Sequence, residues 1–156
     1  MPEKLAVDLY GFEDPWIRRL AAECGVAGCV HMHGLVSHQA SLAAQRNADV
    51  LLFLDWMDER AEGILTGKLF EYLANRRPIL GVGVGTATEA ARIIHNAGAG
   101  ETLTQPQEIC ERLINLPRRE AAAAPVEGVS IERYSRLHQA DQLLGRIRTA
   151  LAGVQT

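Results

Sequence analysis

Lys68 and Glu71, in the stretch GILTGKLFEY, are the two side chains whose types and spacing could hold an anion and a hydroxyl group. The stretch comes close to the phosphate-binding pattern G-x-x-x-x-G-K-[ST] but departs from it twice. Only three residues separate Gly63 from Gly67, and Leu69 stands where that pattern has a metal-binding hydroxyl. Another arrangement must therefore explain the lysine.

The start of a helix explains the position of Lys68 better than a phosphate-binding loop does. The pattern predicts a helix over 67–75 with Thr66 as its N-cap. Lys68 then lies in the first turn, where the helix dipole disfavours a cation. A bound phosphate would remove this conflict, because the ammonium group and the first N–H groups, from Gly67 onward, would converge on it. Glu71 lies on nearly the same helix face. We therefore predict that Lys68 binds a diphosphate and Glu71 a ribose, against the alternative of an exposed Lys–Glu pair.

Two glycine-containing turns offer further contacts. GVGVGTATEAA runs into a helix predicted to begin near Thr88, but Thr86 replaces the third glycine of G-x-G-x-x-G, so it is a weak dinucleotide fingerprint. Its backbone N–H groups could still meet an anion or a sugar. Gly34 ends another predicted strand, where a residue without a side chain lets a ligand approach the backbone.

Metal and thiol chemistry are disfavoured. His31 and His33 share one face of a predicted strand and His38 follows in the next helix, but no carboxylate or cysteine is placed by sequence to complete a zinc site. We predict no metal and no cofactor. The cysteines, which have neither CxxC spacing nor an ordered His and Asp beside them, are interpreted as core residues. They are Cys24, Cys29 and Cys110.

Strand-like and helix-like segments alternate along the chain, with connections of a few residues. This order predicts an α/β fold, a doubly wound, Rossmann-like parallel sheet of about five strands with helices on both faces, with ligands at the carboxyl ends of the strands. The predicted strands are Lys4–Gly11, Cys29–Gly34, Asp49–Asp55, Pro78–Gly83 and, weakly, AGAGETL. The predicted helices follow Asp14, Ser37, Thr66, Thr88 and Gln105.

The two ends of this alternation have distinct patterns. DVLLFLD is nearly all apolar, which is typical of a strand covered on both faces, and an acidic loop follows it. A Pro/Ala-rich connector, 117–128, precedes a tail whose apolar residues have helical spacing over 129–151. We assign residues 1–128 to one ligand-binding domain and 129–156 to a long helix that closes it.

Composition limits the classes of function. The chain of 156 residues is 47% hydrophobic and 22% charged, with a net charge of −3. This balance predicts a globular protein that does not bind nucleic acid. With no membrane-spanning run and no disulfide framework, we expect a cytoplasmic protein.

The chain resembles the donor-binding, C-terminal half of GT-B glycosyltransferases, of the type called group-1 or family-four glycosyl transferases. The segments that carry the resemblance are HMHGLVSHQASLAAQRNADVLLFL, EGILTGKLFEYLANRRPILGVG, TEAARIIHNAGAG and RYSRLHQADQLLGRI. The resemblance runs from about Val30 to Leu151, and the block from Lys68 to Ile79 is its most specific part. The resemblance implies half of a GT-B fold and a retaining, metal-independent enzyme of carbohydrate biosynthesis.

The resemblance also implies roles for individual residues. Glu71 matches the glutamate that holds the donor ribose, and Lys68 matches a lysine common in the subgroup with K-x-F-E-Y. A sugar-contacting glutamate eight positions earlier falls on Gly63, so Glu62 is assigned that role through a loop longer by one residue. Leu35 and Val36, which follow Gly34, match the loop that contacts the nucleobase. The segment from Thr86 to Thr88 matches the place where the donor sugar and phosphates meet the next helix.

We expect this sequence to correspond to only part of the family's pattern. Its donor domain opens with a further strand–loop–helix unit that grips the diphosphate, and an N-terminal domain binds the acceptor. We therefore expect a fragment that needs that domain or a partner chain, binds a nucleotide diphosphate sugar weakly alone and transfers nothing. The full-length enzyme could associate peripherally with a membrane.

Two other functions stay open at this stage. A response-regulator-like or flavodoxin-like interaction domain could use Asp55 as phosphoacceptor, although no lysine follows PILGVG. A GT-B type sugar-nucleotide epimerase shares the fold but needs acidic and histidine groups from both halves.

Overall fold

The computed structural model describes residues 5–54, 65–85, 88–116 and 131–153. Within them, five short strands alternate with helices, and a long helix comes last. The strands are β1 (Val7–Leu9), β2 (Val30–Met32), β3 (Leu51–Leu54), β4 (Ile79–Val82) and β5 (Gly100–Leu103). The helices are α1 (Pro15–Glu23), α2 (His38–Asn47), α3 (Gly67–Asn75), α4 (Glu89–Asn96), α5 (Pro106–Ile114) and α6 (Arg136–Gly153).

All strand pairs recorded are parallel, and they form two groups. β1 pairs with β2, and β4 lies between β3 and β5. Helices connect the paired strands, as parallel pairing requires. The predicted α/β class with a long C-terminal helix is confirmed. The predicted single sheet is observed as groups of two and three strands, and within the described ranges no ladder joins them.

The core lies around the three-stranded group. Leu51 and Phe53 of β3, Leu69 and Leu73 of α3, and Ile79 of β4 are buried there. Two alanines and two isoleucines on the inner face of α4 belong to the same cluster: Ala90, Ala91, Ile93 and Ile94. The apolar stripes of α3 and α4 therefore fix both helices against one sheet.

Two sequence predictions about burial are wrong. β3 is not covered on both faces, because Leu54 is 60% exposed, and the central strand β4 is the most buried one instead. Two of the supposed core cysteines, Cys24 and Cys110, are exposed, and Cys29 is half-buried. Each lies at the end or on the outer side of a short element, so its apolar character does not bring it into the core.

The C-terminal helix begins later than predicted. Glu132–Tyr134 form a 3₁₀ turn, Ser135 is extended, and α6 begins at Arg136. Ile131 and Tyr134 pack against the core, whereas the apolar residues of α6 itself are exposed. Among the described helices, none has the length and apolar character needed to cross a membrane.

Candidate functional site

Glu71 lies between α2 and α3 with both carboxylate oxygens engaged. His38 Nε2 is 3.1 Å from Oε1, and Gln45 donates its side-chain amide to Oε2 at 3.2 Å. These contacts hold the pKa of the Glu71 carboxyl below its ordinary value, chiefly through the Gln45 and then the His38 hydrogen bond. Glu71 is therefore an ionised acceptor near neutral pH.

The Glu71 carboxylate is fixed in direction but still reachable. Its side chain is 39% exposed, so water or a ligand can approach it. Two hydrogen bonds are recorded to it from the described residues, and an ionised carboxylate has about four acceptor positions. It can thus accept further hydrogen bonds from the hydroxyl groups of a ligand.

A hydrogen-bond relay supports Glu71 from behind. Asn75, one helical turn after Glu71, donates to Gln45 Oε1 at 2.7 Å and to the main-chain oxygen of Glu71 at 3.0 Å. Gln45 also donates to Ser41 Oγ at 3.3 Å. These side chains could not be predicted from the sequence, because α2 and α3 meet only in the folded chain. The one local signal was the four-residue spacing from Glu71 to Asn75.

Lys68 is exposed in the first turn of α3, as predicted. Its positive charge lies close enough to Glu71 to contribute to the lowered pKa of that carboxyl. Thr66 occupies the N-cap with extended backbone, but its side chain makes no capping hydrogen bond. Ser37 and Thr88, in contrast, cap α2 and α4 with their hydroxyl groups. The start of α3, at Gly67, therefore lacks the side-chain cap that the other two helices have.

The loop after β2 leads directly to Glu71. Gly34 has φ +69°, and its carbonyl accepts from Gly11 N at 2.9 Å, which ties this loop to the one after β1. Leu35 and Val36 follow and are exposed. His38, two positions after Val36, contacts Glu71, so this loop ends close to the Glu71 carboxylate.

The other predicted contacts are only partly located. Thr88 begins α4, which follows β4, so it lies at the same edge of the sheet as the start of α3. Its hydroxyl accepts from Ala91 N at 3.2 Å and keeps its own proton to donate. Glu62, Thr86 and the acidic loop Asp55–Gly63 lie outside the described residues, so their predicted roles stay predictions.

His33 and His38, two of the three histidines considered for a metal, contact different carboxylates. His33 is 2.7 Å from Asp8 and stacks on Tyr10, whereas His38 turns to Glu71. Across the described ranges, no group of three or more His, Cys, Asp or Glu residues could hold a metal ion. The histidines thus serve two separate carboxylates.

Tyr72, the neighbour of Glu71, links the site to the core. It packs edge-on against Phe53 and donates to Leu52 O at 3.4 Å. Burial, and then the charge of Glu71, raise the pKa of its phenol above the ordinary value. The folded chain therefore holds this proton more tightly than the unfolded chain does.

A loss of stability at alkaline pH is the expected consequence. The contribution of Tyr72 is complete below the ordinary pKa of 10.0 and is lost as the pH rises through the higher folded value. The free energy of unfolding is measured in urea at about pH 8 and at about pH 11. Its decrease from the lower to the higher pH should be smaller for Tyr72→Phe than for wild type. Tyr10→Phe, which removes the hydroxyl group of an exposed tyrosine, is the matched control variant. Equal losses in Tyr72→Phe and wild type would contradict the effect.

The fold of this chain is similar to that of a known protein. No family model and no curated protein match the sequence. Among solved structures, the chain is similar to WaaG, a glycosyltransferase involved in lipopolysaccharide biosynthesis, with a TM-score of 0.54 and 23% identity. The match covers 81% of this chain and 35% of WaaG. At this identity the likeness shows the fold alone, which is glycosyltransferase-like.

Proposed function

We propose that the chain is the nucleotide-sugar-binding part of a retaining, metal-independent glycosyltransferase. The observation that carries the proposal is the Glu71 carboxylate, ionised, held from two sides and close to the charge of Lys68. A nucleotide diphosphate sugar offers both a pair of ribose hydroxyls and a diphosphate. The glycosyltransferase-like fold and the three-residue spacing of Lys68 and Glu71 support this assignment.

The roles of the two side chains follow from their charges. Glu71 accepts hydrogen bonds from the ribose hydroxyls and so fixes the nucleoside. Lys68 and the uncapped start of α3 bind the diphosphate. When the bond between the anomeric carbon and the phosphate oxygen breaks, negative charge develops on the departing diphosphate, and Lys68 stabilises that charge.

The rest of the donor contacts come from the neighbouring segments. Gly34, Leu35 and Val36 form the nucleobase side, and Thr88 lies toward the sugar and phosphates. Glu62 and Thr86 complete the donor site in this proposal. The transfer itself needs an acceptor half, in a longer chain or a partner, because this chain spans only 35% of the similar glycosyltransferase.

Paired nucleotides test the role of Glu71. We would titrate the chain with UDP, GDP and ADP and with their 2′-deoxy counterparts, and follow binding by ligand-observed NMR. The ribonucleotide of one base should bind more tightly than its deoxy form. Glu71→Gln, which keeps the size but removes the charge, should weaken ribonucleotide binding about tenfold and reduce the difference between the two forms.

The control is the same change at an exposed helical position, Glu111→Gln, which should leave binding as in wild type. Absence of binding of all three ribonucleotides, also in the presence of an acceptor half, would refute the proposed function. Equal binding by wild type and Glu71→Gln would refute the role of Glu71 alone.

A further inference from the structure

We propose that Gln45, directed by Asn75, is a positioning residue that holds the Glu71 carboxylate in the orientation in which it accepts nucleotide hydroxyl groups; the ligand part of this inference rests on the proposed function. Neither residue touches the ligand. Both act through Glu71, across the contact between α2 and α3.

The main-chain carbonyl of Glu71 sets the direction of each hydrogen bond. That oxygen only accepts, so the Asn75 side-chain atom 3.0 Å away must be its amide nitrogen. The amide nitrogen has a second hydrogen, which goes to the Gln45 side-chain atom 2.7 Å away, and that atom must be the acceptor Oε1. The amide nitrogen of Gln45 is thereby turned toward the Glu71 carboxylate.

The Gln45 amide nitrogen then has both hydrogens in use. One goes to Glu71 Oε2 at 3.2 Å, and the other to Ser41 Oγ at 3.3 Å. Reversing the amide would place Oε1 against an ionised carboxylate and the nitrogen against a donor. The arrangement therefore has one favourable orientation.

Burial distinguishes the two contacts of the carboxylate. The His38 side chain is 70% exposed, so water competes with its hydrogen bond to Oε1. Gln45 and Asn75 are both half-buried, which makes the bond to Oε2 the more persistent of the two. A small misplacement of a binding group can cost a large part of its effect, so fixing this oxygen matters for recognition.

A purely structural role, tying α2 to α3, is the competing explanation. Two variants test the explanations, and the first, Asn75→Asp, keeps the shape but replaces the donor nitrogen with an acceptor oxygen. The aspartate would accept from Gln45 and turn the amide, so that Oε1 faces Glu71. The pKa of Glu71, measured by carbon-13 NMR of its side-chain carboxyl, should rise, and binding of the ribonucleotide should weaken about tenfold.

Gln45→Met is the second variant, with a side chain of nearly equal length that donates nothing. It should also raise the Glu71 pKa, and it decides the question, because it adds no charge, whereas the new carboxylate of Asn75→Asp raises that pKa by its charge as well. The controls repeat both changes where no relay exists. Asn96→Asp changes the last residue of α4, as Asn75 is the last of α3, and Gln39→Met changes an exposed position of α2.

The Glu71 titration and the ribonucleotide binding test different parts of the proposal. An unchanged Glu71 titration in the folded variants would overturn the positioning role, whatever the nucleotide result. A raised pKa with ribonucleotide binding equal to wild type would overturn its link to the ligand. If wild type binds none of UDP, GDP and ADP, the proposed function fails and the ligand part of this inference with it, while the titration still decides the orientation of Glu71.

Discussion

Replacing Gly100 with alanine is expected to destabilise the protein by about 3 kcal/mol, near the upper end for overpacked sites. A Cβ at Gly100 would overlap the carbonyl oxygen of Ile79 and lie within 2.8 Å of its carbonyl carbon and amide nitrogen. Ile79 is in the central strand, 1% exposed, and pairs directly with Gly100. Because the obstacle is backbone and not a flexible side chain, β4 and β5 must move apart.

A glycine in open space is the matched control. Gly145, inside α6, has nothing within 4 Å of its added Cβ. Gly145→Ala should therefore stabilise the protein by about 0.5 to 1 kcal/mol, since alanine favours the helix. Urea unfolding of both variants gives the comparison. A loss below about 1 kcal/mol for Gly100→Ala would show that β4 and β5 do not approach so closely.

Gly100 also shows where sequence reasoning was limited. AGAGETL was predicted only as a weak strand, because glycine in a strand has no side chain to pack. In the folded chain the glycine is required, since it lets two backbones approach. A single sequence shows the low strand propensity but not the neighbour that explains it.

The α3 segment was predicted with its bounds, because its signals are local. Thr66 stands at the N-cap, apolar Leu69 and Leu73 have helical spacing, and Pro78 follows the end. One feature was not visible: the helix ends at Arg76 in the left-handed conformation, φ +53°, where glycine is the usual residue. Local rules thus located the helix but not the residue that ends it.

The same division holds for the candidate site. Lys68 and Glu71 could be chosen because three positions on one helix bring their side chains together. Gln45 could not, because 26 residues separate it from Glu71 in the chain and only the packing of α2 on α3 joins them. For a similar reason, the helical spacing of the apolar residues predicted Ile131 and Tyr134 to lie in the last helix. In the structure they precede that helix and pack against the core.

Under the proposed function, with the acceptor half present, Lys68→Ala is expected to lower kcat/KM about 100-fold or more, as the loss of one preorganised charge contact usually does. The lysine is exposed in the first turn of α3, where its charge already acts on Glu71. In the proposed transfer, the stabilisation that Lys68 provides grows as the diphosphate leaves, so the loss should fall on kcat as well as on KM. Steady-state kinetics with the nucleotide sugar that binds best provide the measurement.

Stability provides the check that the Lys68→Ala loss comes from the missing charge and not from misfolding. A cation at a helix N-terminus costs a few tenths of a kcal/mol, and alanine favours a helix, so Lys68→Ala should keep or slightly raise the free energy of unfolding. Arg148→Ala, which removes a positive charge from exposed α6, should leave the kinetics unchanged. Kinetics of Lys68→Ala equal to those of wild type would exclude Lys68 from the diphosphate site. A fall in activity that follows a fall in stability would assign the lysine to folding and not to the diphosphate.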